Sequence, residues 1–218
     1  MTTSNLNRAW GLSLVVGAVA FTIHIFLRSL LTAGVEPAAA AQGILWMPVN
    51  ALGFLGALAV LLGLPATYAR MASATGPAAL MGIALIAVSW TFFGVFLSLY
   101  AALLMPWIAK EAPALLAVGA PLPAAFLVAF LVALVLWFAG AILLALPFIR
   151  GRLRPRWIGW LLTLSALWMV VGNLVIAPSG PASNLALNLV SNLGPVLFAV
   201  ALGYLGFRLW AESADGQD

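Results

Sequence analysis

Cysteine is absent from this 218-residue chain, so neither a disulfide framework nor a thiolate metal site can form. Histidine occurs once, at His24, and a bis-histidine haem needs two. Lysine also occurs once, at Lys110 between two apolar runs, where it cannot form a membrane-embedded Schiff base. Charged residues make up 6% of the chain, and none of the five acids lies inside an apolar run. Glu36 and Glu111 lie in connecting segments, and Glu212, Asp215 and Asp218 follow the last run. Carboxylate pairs for acid–base work or ion-coupled transport are therefore missing. The phosphate-cradling Gly-Lys-Ser/Thr loop, His-Glu-x-x-His and Gly-x-Ser-x-Gly are missing too. A serine–histidine hydrolase would find Arg28 where an orienting carboxylate is wanted. The expectation is a protein that is not an enzyme and holds no metal and no cofactor.

Apolar residues dominate what is present. They make up 65% of the sequence, and the mean hydropathy is +1.17. A soluble domain is about a quarter charged, so lipid rather than water is the expected solvent. A helix needs about 20 apolar residues to cross the hydrocarbon. Six stretches qualify: residues 10–33, 49–69, 78–104, 122–148, 157–177 and 185–208. The predicted fold is an all-α polytopic membrane bundle, residues 1–218 forming one integral membrane domain. Gly34, Pro37, Gly76-Pro77, Pro106, Pro121, Pro123, Pro155 and Pro178 through Pro181 punctuate the spans. The third and fourth are overlong for a straight crossing and should tilt or project. The first reads as a retained span rather than a removed leader. It is too long, and His24 and Arg28 interrupt the approach to the alanines at 38–41.

Positive charge sets the predicted direction. Four arginines fall within residues 150–156. With a cytoplasmic N-terminus the inner side receives Arg8, Arg70, Arg150, Arg152, Arg154, Arg156 and Arg208, and the outer side only Arg28 and Lys110. Both termini are therefore expected inside. Trp10, Trp157, Trp160 and Trp210 then fall at the inner interface, and Trp46 and Trp107 at the outer one. The net charge of +4 reads as this orientation signal, not as a nucleic-acid surface, because no basic patch is interleaved with base-reading residues.

Two helical hairpins look alike. Leu61-Leu62-Gly63-Leu64-Pro65 resembles Leu143-Leu144-Ala145-Leu146-Pro147, and each is followed by an arginine, a glycine and a tryptophan. A tandem parallel repeat or shared turn chemistry would each account for this.

Two constellations stand out within the spans. With a 1.5 Å rise per residue, His24, Arg28, Asn50, Asn173, Asn188 and Asn192 all lie about 21–30 Å from the inner ends. His24 and Arg28 share a face of the first span, and Asn184, Asn188 and Asn192 form a stripe on the sixth. Polar groups at such depth should face the bundle interior. They define either an outward-facing polar pocket between spans one, five and six, with Glu36 nearby, or interhelical hydrogen bonding with Arg28 reaching the headgroups. Trp90, Trp137 and Trp168 lie about 17–18 Å from the inner ends of three different spans. They would either stack on a flat apolar ligand or fill a core lined by small residues.

Residues 64–162 carry Gly63-Leu64-Pro65 with Tyr68-Ala69-Arg70, Tyr100, Met105-Pro106, Glu111-Ala112-Pro113-Ala114-Leu115, and Arg154-Pro155-Arg156-Trp157 with Gly159-Trp160. This segment resembles a group of uncharacterised bacterial multi-span membrane proteins. The resemblance implies six spans and a bacterial cytoplasmic membrane, and no activity. The expected function is binding of a membrane partner, a lipid or another apolar ligand. The alternative is a small transporter or channel using the polar pocket. Expected partners are membrane lipids and another membrane protein or a second copy of the chain, with no nucleic acid.

Overall fold

The computed structural model describes residues 3–117, 120–176 and 184–215. The protein is all-α, with no strand among the described residues, and six helices are long and apolar enough to cross a membrane. Helix α1 (Thr3–Thr32) is followed by the short α2 (Pro37–Ala41) and by α3 (Trp46–Thr75). The third span starts as α4 (Pro77–Trp90). It then passes through a π segment (Thr91–Phe96), α5 (Leu97–Leu99), a second π segment (Tyr100–Leu104) and α6 (Met105–Glu111). Helix α6 extends this span beyond the apolar run to Glu111 and packs against α2. Helices α7 (Ala124–Ile149) and α8 (Trp157–Val171) follow, with a third π segment at Gly172–Ile176. The chain ends in α9 (Leu185–Ser191) and α10 (Leu193–Asp215). The prolines at 178 and 181 lie outside the described residues.

The sixth span begins eight residues later than the hydropathy run suggests. Pro195 lacks an N–H and disfavours helix just before it, so the run breaks at Asn192 into α9 and α10. The likened hairpins also differ: α3 continues ten residues past Pro65, whereas α7 stops two residues after Pro147.

The spans pack as a ring in chain order: α1 on α3, α3 on α4, α4 on α7, α7 on α8, α8 on α10, and α10 back on α1. Glycine lets α1 and α3 touch backbone to backbone. A β-carbon at Gly17 would lie 2.6 Å from the Val60 nitrogen and 2.7 Å from the Gly56 carbonyl oxygen. Close approach of this kind replaces the hydrophobic driving force that lipid does not supply.

Four aromatic rings from four helices fill the ring's lumen near mid-height. Trp90 of α4 stacks on Trp137 of α7 at 5.3 Å, and Phe198 of α10 and Phe21 of α1 close round them at 4.6 Å from Trp137 and 4.8 Å from Trp90. Trp90 donates its indole N–H to the Ala57 carbonyl at 3.1 Å, whereas the equally buried Trp137 Nε1 has no partner. Losing a made bond and losing an unmet donor have opposite signs, so Trp90→Phe is expected to cost at least about 1 kcal/mol more than Trp137→Phe. Denaturant titration of the two variants in detergent reads the difference. Equal costs would mean that the bond to Ala57 is worth nothing.

At the end carrying the termini, Glu212 accepts from Arg70 of α3 and from Arg208 one turn back, the latter at 2.9 Å. The site is partly exposed, and such a clasp contributes little. Trp157, Trp160 and Trp210 are exposed at this same end, and Arg8 lies 5.7 Å from the Trp210 ring.

Candidate functional site

Above the aromatic plug, at the end of the ring opposite the termini, the lumen is hollow. The cavity measures about 360 Å³, within the range of small-molecule sites. Phe21, itself one of the four plug rings, belongs to its lining, as does Phe93, which packs edge-on against Trp137. Among the candidates named from sequence, His24, Arg28, Asn173, Asn188 and Asn192 all line it. Asn50 does not. It is fully buried in α3, with its amide bonded back to the Trp46 carbonyl at 2.8 Å and its Oδ1 unpartnered. Glu36 is exposed and outside the lining.

Each polar group is held by a specific local cause. His24 sits in α1, buried, with Nδ1 2.9 Å from the Val49 carbonyl oxygen of α3. A carbonyl only accepts, so Nδ1 carries the proton and Nε2 remains an acceptor. The ring fits because residue 53 is glycine: a β-carbon there would stand 2.6 Å from the imidazole. One turn on, Arg28 lies with its guanidinium carbon 5.8 Å from the Trp46 ring centroid, a cation–π contact. A further turn on is Thr32, which receives the Asn188 amide at 2.7 Å and donates to the Arg28 carbonyl at 3.0 Å. Asn192 in turn donates to the Asn188 carbonyl at 2.8 Å. The polar wall is thus a connected strip from α1 across to the α9–α10 break.

Helix α9 is placed by two anchors. Asn184 caps it by accepting from Ala186 N at 2.8 Å, so this residue ends the asparagine stripe rather than facing the cavity. Trp168 of α8 donates to the Val190 carbonyl at 2.6 Å. Trp168 therefore does not join Trp90 and Trp137; it stands at the same depth but faces α9, and Phe198 and Phe21 complete the midplane cluster instead. Trp90 and Trp137 are packed solid, and neither lines the cavity. Asn173 sits in the third π segment and bonds back to the Met169 carbonyl at 2.8 Å. Phe93 and Asn173 come from two of the three π segments, and α5, between the first two, supplies Leu97. Such widened turns are found frequently at functional sites.

Trp46 is the residue whose role differs most from the sequence reading. Its position near a span end suggests an interfacial ring, yet it is 1% exposed, lines the cavity and donates to the Ala101 carbonyl at 2.7 Å. It belongs to a small cluster with Ala40, Ala41, Ala101 and Ala109 that seats α2 and α6 as a cap, tied further by Gln42 to the Ala109 carbonyl at 3.1 Å. Trp107, at 62% exposure, does face outward. Thr32 and Ser29 were also missed, although Thr32 continues the four-residue spacing of His24 and Arg28.

The electrostatics are one-sided. Among the described residues no carboxylate lines the cavity, and Arg28 has no ion pair. The first turn of α10 also borders it through Pro195, bringing the positive end of a helix dipole to the same side. The described residues hold no cluster of metal-ligating side chains. Comparison with known proteins gives no match among family models, curated proteins or solved structures.

Proposed function

We propose that this integral membrane protein binds a small anionic ligand in the cavity at the end of the bundle opposite the termini, as a receptor or carrier rather than as an enzyme. One observation carries the reading: among the described residues, a guanidinium without a counter-charge in a partly open cavity lined by three carboxamides. A charge placed there is costly unless something compensates it, and an anion from outside supplies the missing partner. Among the described residues the lining has one imidazole and no carboxylate or lysine, which suits holding better than proton transfer. The aromatic plug closes the lumen below, which favours a binding cup over an open channel. An apolar ligand on the midplane tryptophans is disfavoured because those rings fill each other's space.

The arginine tally supports cytoplasmic termini, and the cavity then faces outward. The resemblance of residues 64–162 to bacterial multi-span proteins favours the bacterial cytoplasmic membrane. The test is a thermal melt of purified protein in neutral detergent with acetate, inorganic phosphate or tetramethylammonium. Either anion is expected to raise the midpoint, as any ligand of the native state does, and Arg28→Gln is expected to weaken the effect about tenfold in concentration. Equal response to the cation, or an unaltered response in Arg28→Gln, overturns the reading.

A further inference from the structure

The cavity has two chemically different walls and an unsealed side. Arg28, Ser29, Thr32, Asn188 and Asn192 form one wall. Facing them are Phe93, Leu97 and Met105 of the third span and Phe130 of α7, all apolar. Among the described residues, the ring closes least at the cavity end, at a seam between α7 and the third π segment. Helix α7 packs on α8 and α4, but it makes no substantial contact with the third π segment or with α9. Along residues 124–132 only Phe126 and Phe130 are even half-buried, while Leu127, Val128, Leu131 and Val132 are exposed. Across the gap, Leu174 and Val175 of the third π segment are exposed as well. These exposed side chains are apolar and belong to helices long and apolar enough to cross a membrane, which suits a border with lipid better than one with water.

We propose that the ligand is a single-chain anionic amphiphile that reaches the cavity sideways from the membrane, between α7 and the outer end of the fifth span. Its carboxylate or phosphate head meets Arg28 and the asparagines, and its chain leaves past Phe130 into the lipid. The size agrees: about 360 Å³ accommodates a head and the start of one chain, and the remaining chain needs no protein surface because the bilayer receives it. The charge agrees: among the described residues, the one guanidinium lining the site has no ion pair. The chain holds the amphiphile in the bilayer beside the seam, so its head meets the site at a far higher local concentration than a free anion from water does.

This rests on the anion-binding reading above, and the experiment separates the two. The full chain in phosphatidylcholine nanodiscs is titrated with oleate, oleyl alcohol, lysophosphatidate, acetate and inorganic phosphate, and binding is read by native mass spectrometry and by competition against radiolabelled oleate. Oleate and lysophosphatidate are expected to bind one per chain, at least about tenfold more tightly than oleyl alcohol or acetate. Arg28→Gln is expected to weaken oleate by about tenfold, with Arg28→Lys falling between. Leu127→Trp, which crowds the seam from outside the cavity lining, is expected to weaken oleate and leave acetate unchanged. If acetate or phosphate binds as well as the amphiphiles and Leu127→Trp changes nothing, lateral access by an amphiphile is overturned while anion binding survives. If oleyl alcohol matches oleate and Arg28→Gln is silent for every anion, both readings fall.

Discussion

Gly17→Val is expected to abolish the folded bundle. A β-carbon at this position meets the Val60 nitrogen at 2.6 Å and the Gly56 carbonyl at 2.7 Å, and both are backbone atoms of α3 that cannot rotate away. Relief requires α1 and α3 to separate along the contact that organises half of the ring. Overpacking against flexible side chains typically costs about 1–3 kcal/mol, and a backbone wedge with two added methyl groups should exceed that. Set against a total stability of about 5–15 kcal/mol, the expected result is loss of the monodisperse species on size exclusion, with Gly17→Ala surviving at a lowered melting midpoint. Val16→Ala, one position away on the half-exposed face, is expected to be close to neutral. A Gly17→Val protein that melts like the parent would show that α1 and α3 do not meet there.

Trp46→Ala should produce the largest loss among changes at the cavity itself. The indole is 1% exposed, wedges the α2–α6 cap, bonds to the Ala101 carbonyl at 2.7 Å and presents its face to Arg28. Truncating a buried tryptophan costs about 3–5 kcal/mol, because the space left cannot fully collapse. Anion binding should fall with it, since Arg28 loses the surface that orients it. Trp46→Phe retains most of the volume and is expected to lose only about 1 kcal/mol, the value of the hydrogen bond. Melts of both variants with and without acetate decide the matter. Equal midpoints for Trp46→Ala and the parent would place the ring outside the core.

These two residues also show how far the sequence alone could be read. Length and apolarity determine where lipid-spanning helices occur, and all six were legible on those grounds. Depth along a span was legible too, because it follows from counting residues: His24, Arg28, Asn173, Asn188 and Asn192 were placed at one level and do meet at one cavity. Rotation about the helix axis was not legible. In a soluble helix a polar face marks the outside, but here the lipid-facing and core-facing sides are equally apolar. Nothing in the pattern could therefore tell that Trp168 turns to α9 while Phe198 turns inward, or that Trp46 is buried and Trp107 exposed. Asn50, at the right height, is fully buried outside the lining, with its amide turned back to the Trp46 carbonyl. The start of the sixth span was hidden by apolar residues continuing through α9, although Pro195 carried the signal for the break.

The stacked indoles at mid-height also have an electrical consequence. The plug confines the site to the end of the bundle opposite the termini, and an amphiphile that enters sideways carries its head parallel to the membrane plane, at right angles to the transmembrane voltage. Moving one elementary charge through 100 mV is worth about 2.3 kcal/mol, but an anion settling beside Arg28 crosses almost none of that drop. Occupancy of the cup should therefore be indifferent to the membrane potential of an energised cell.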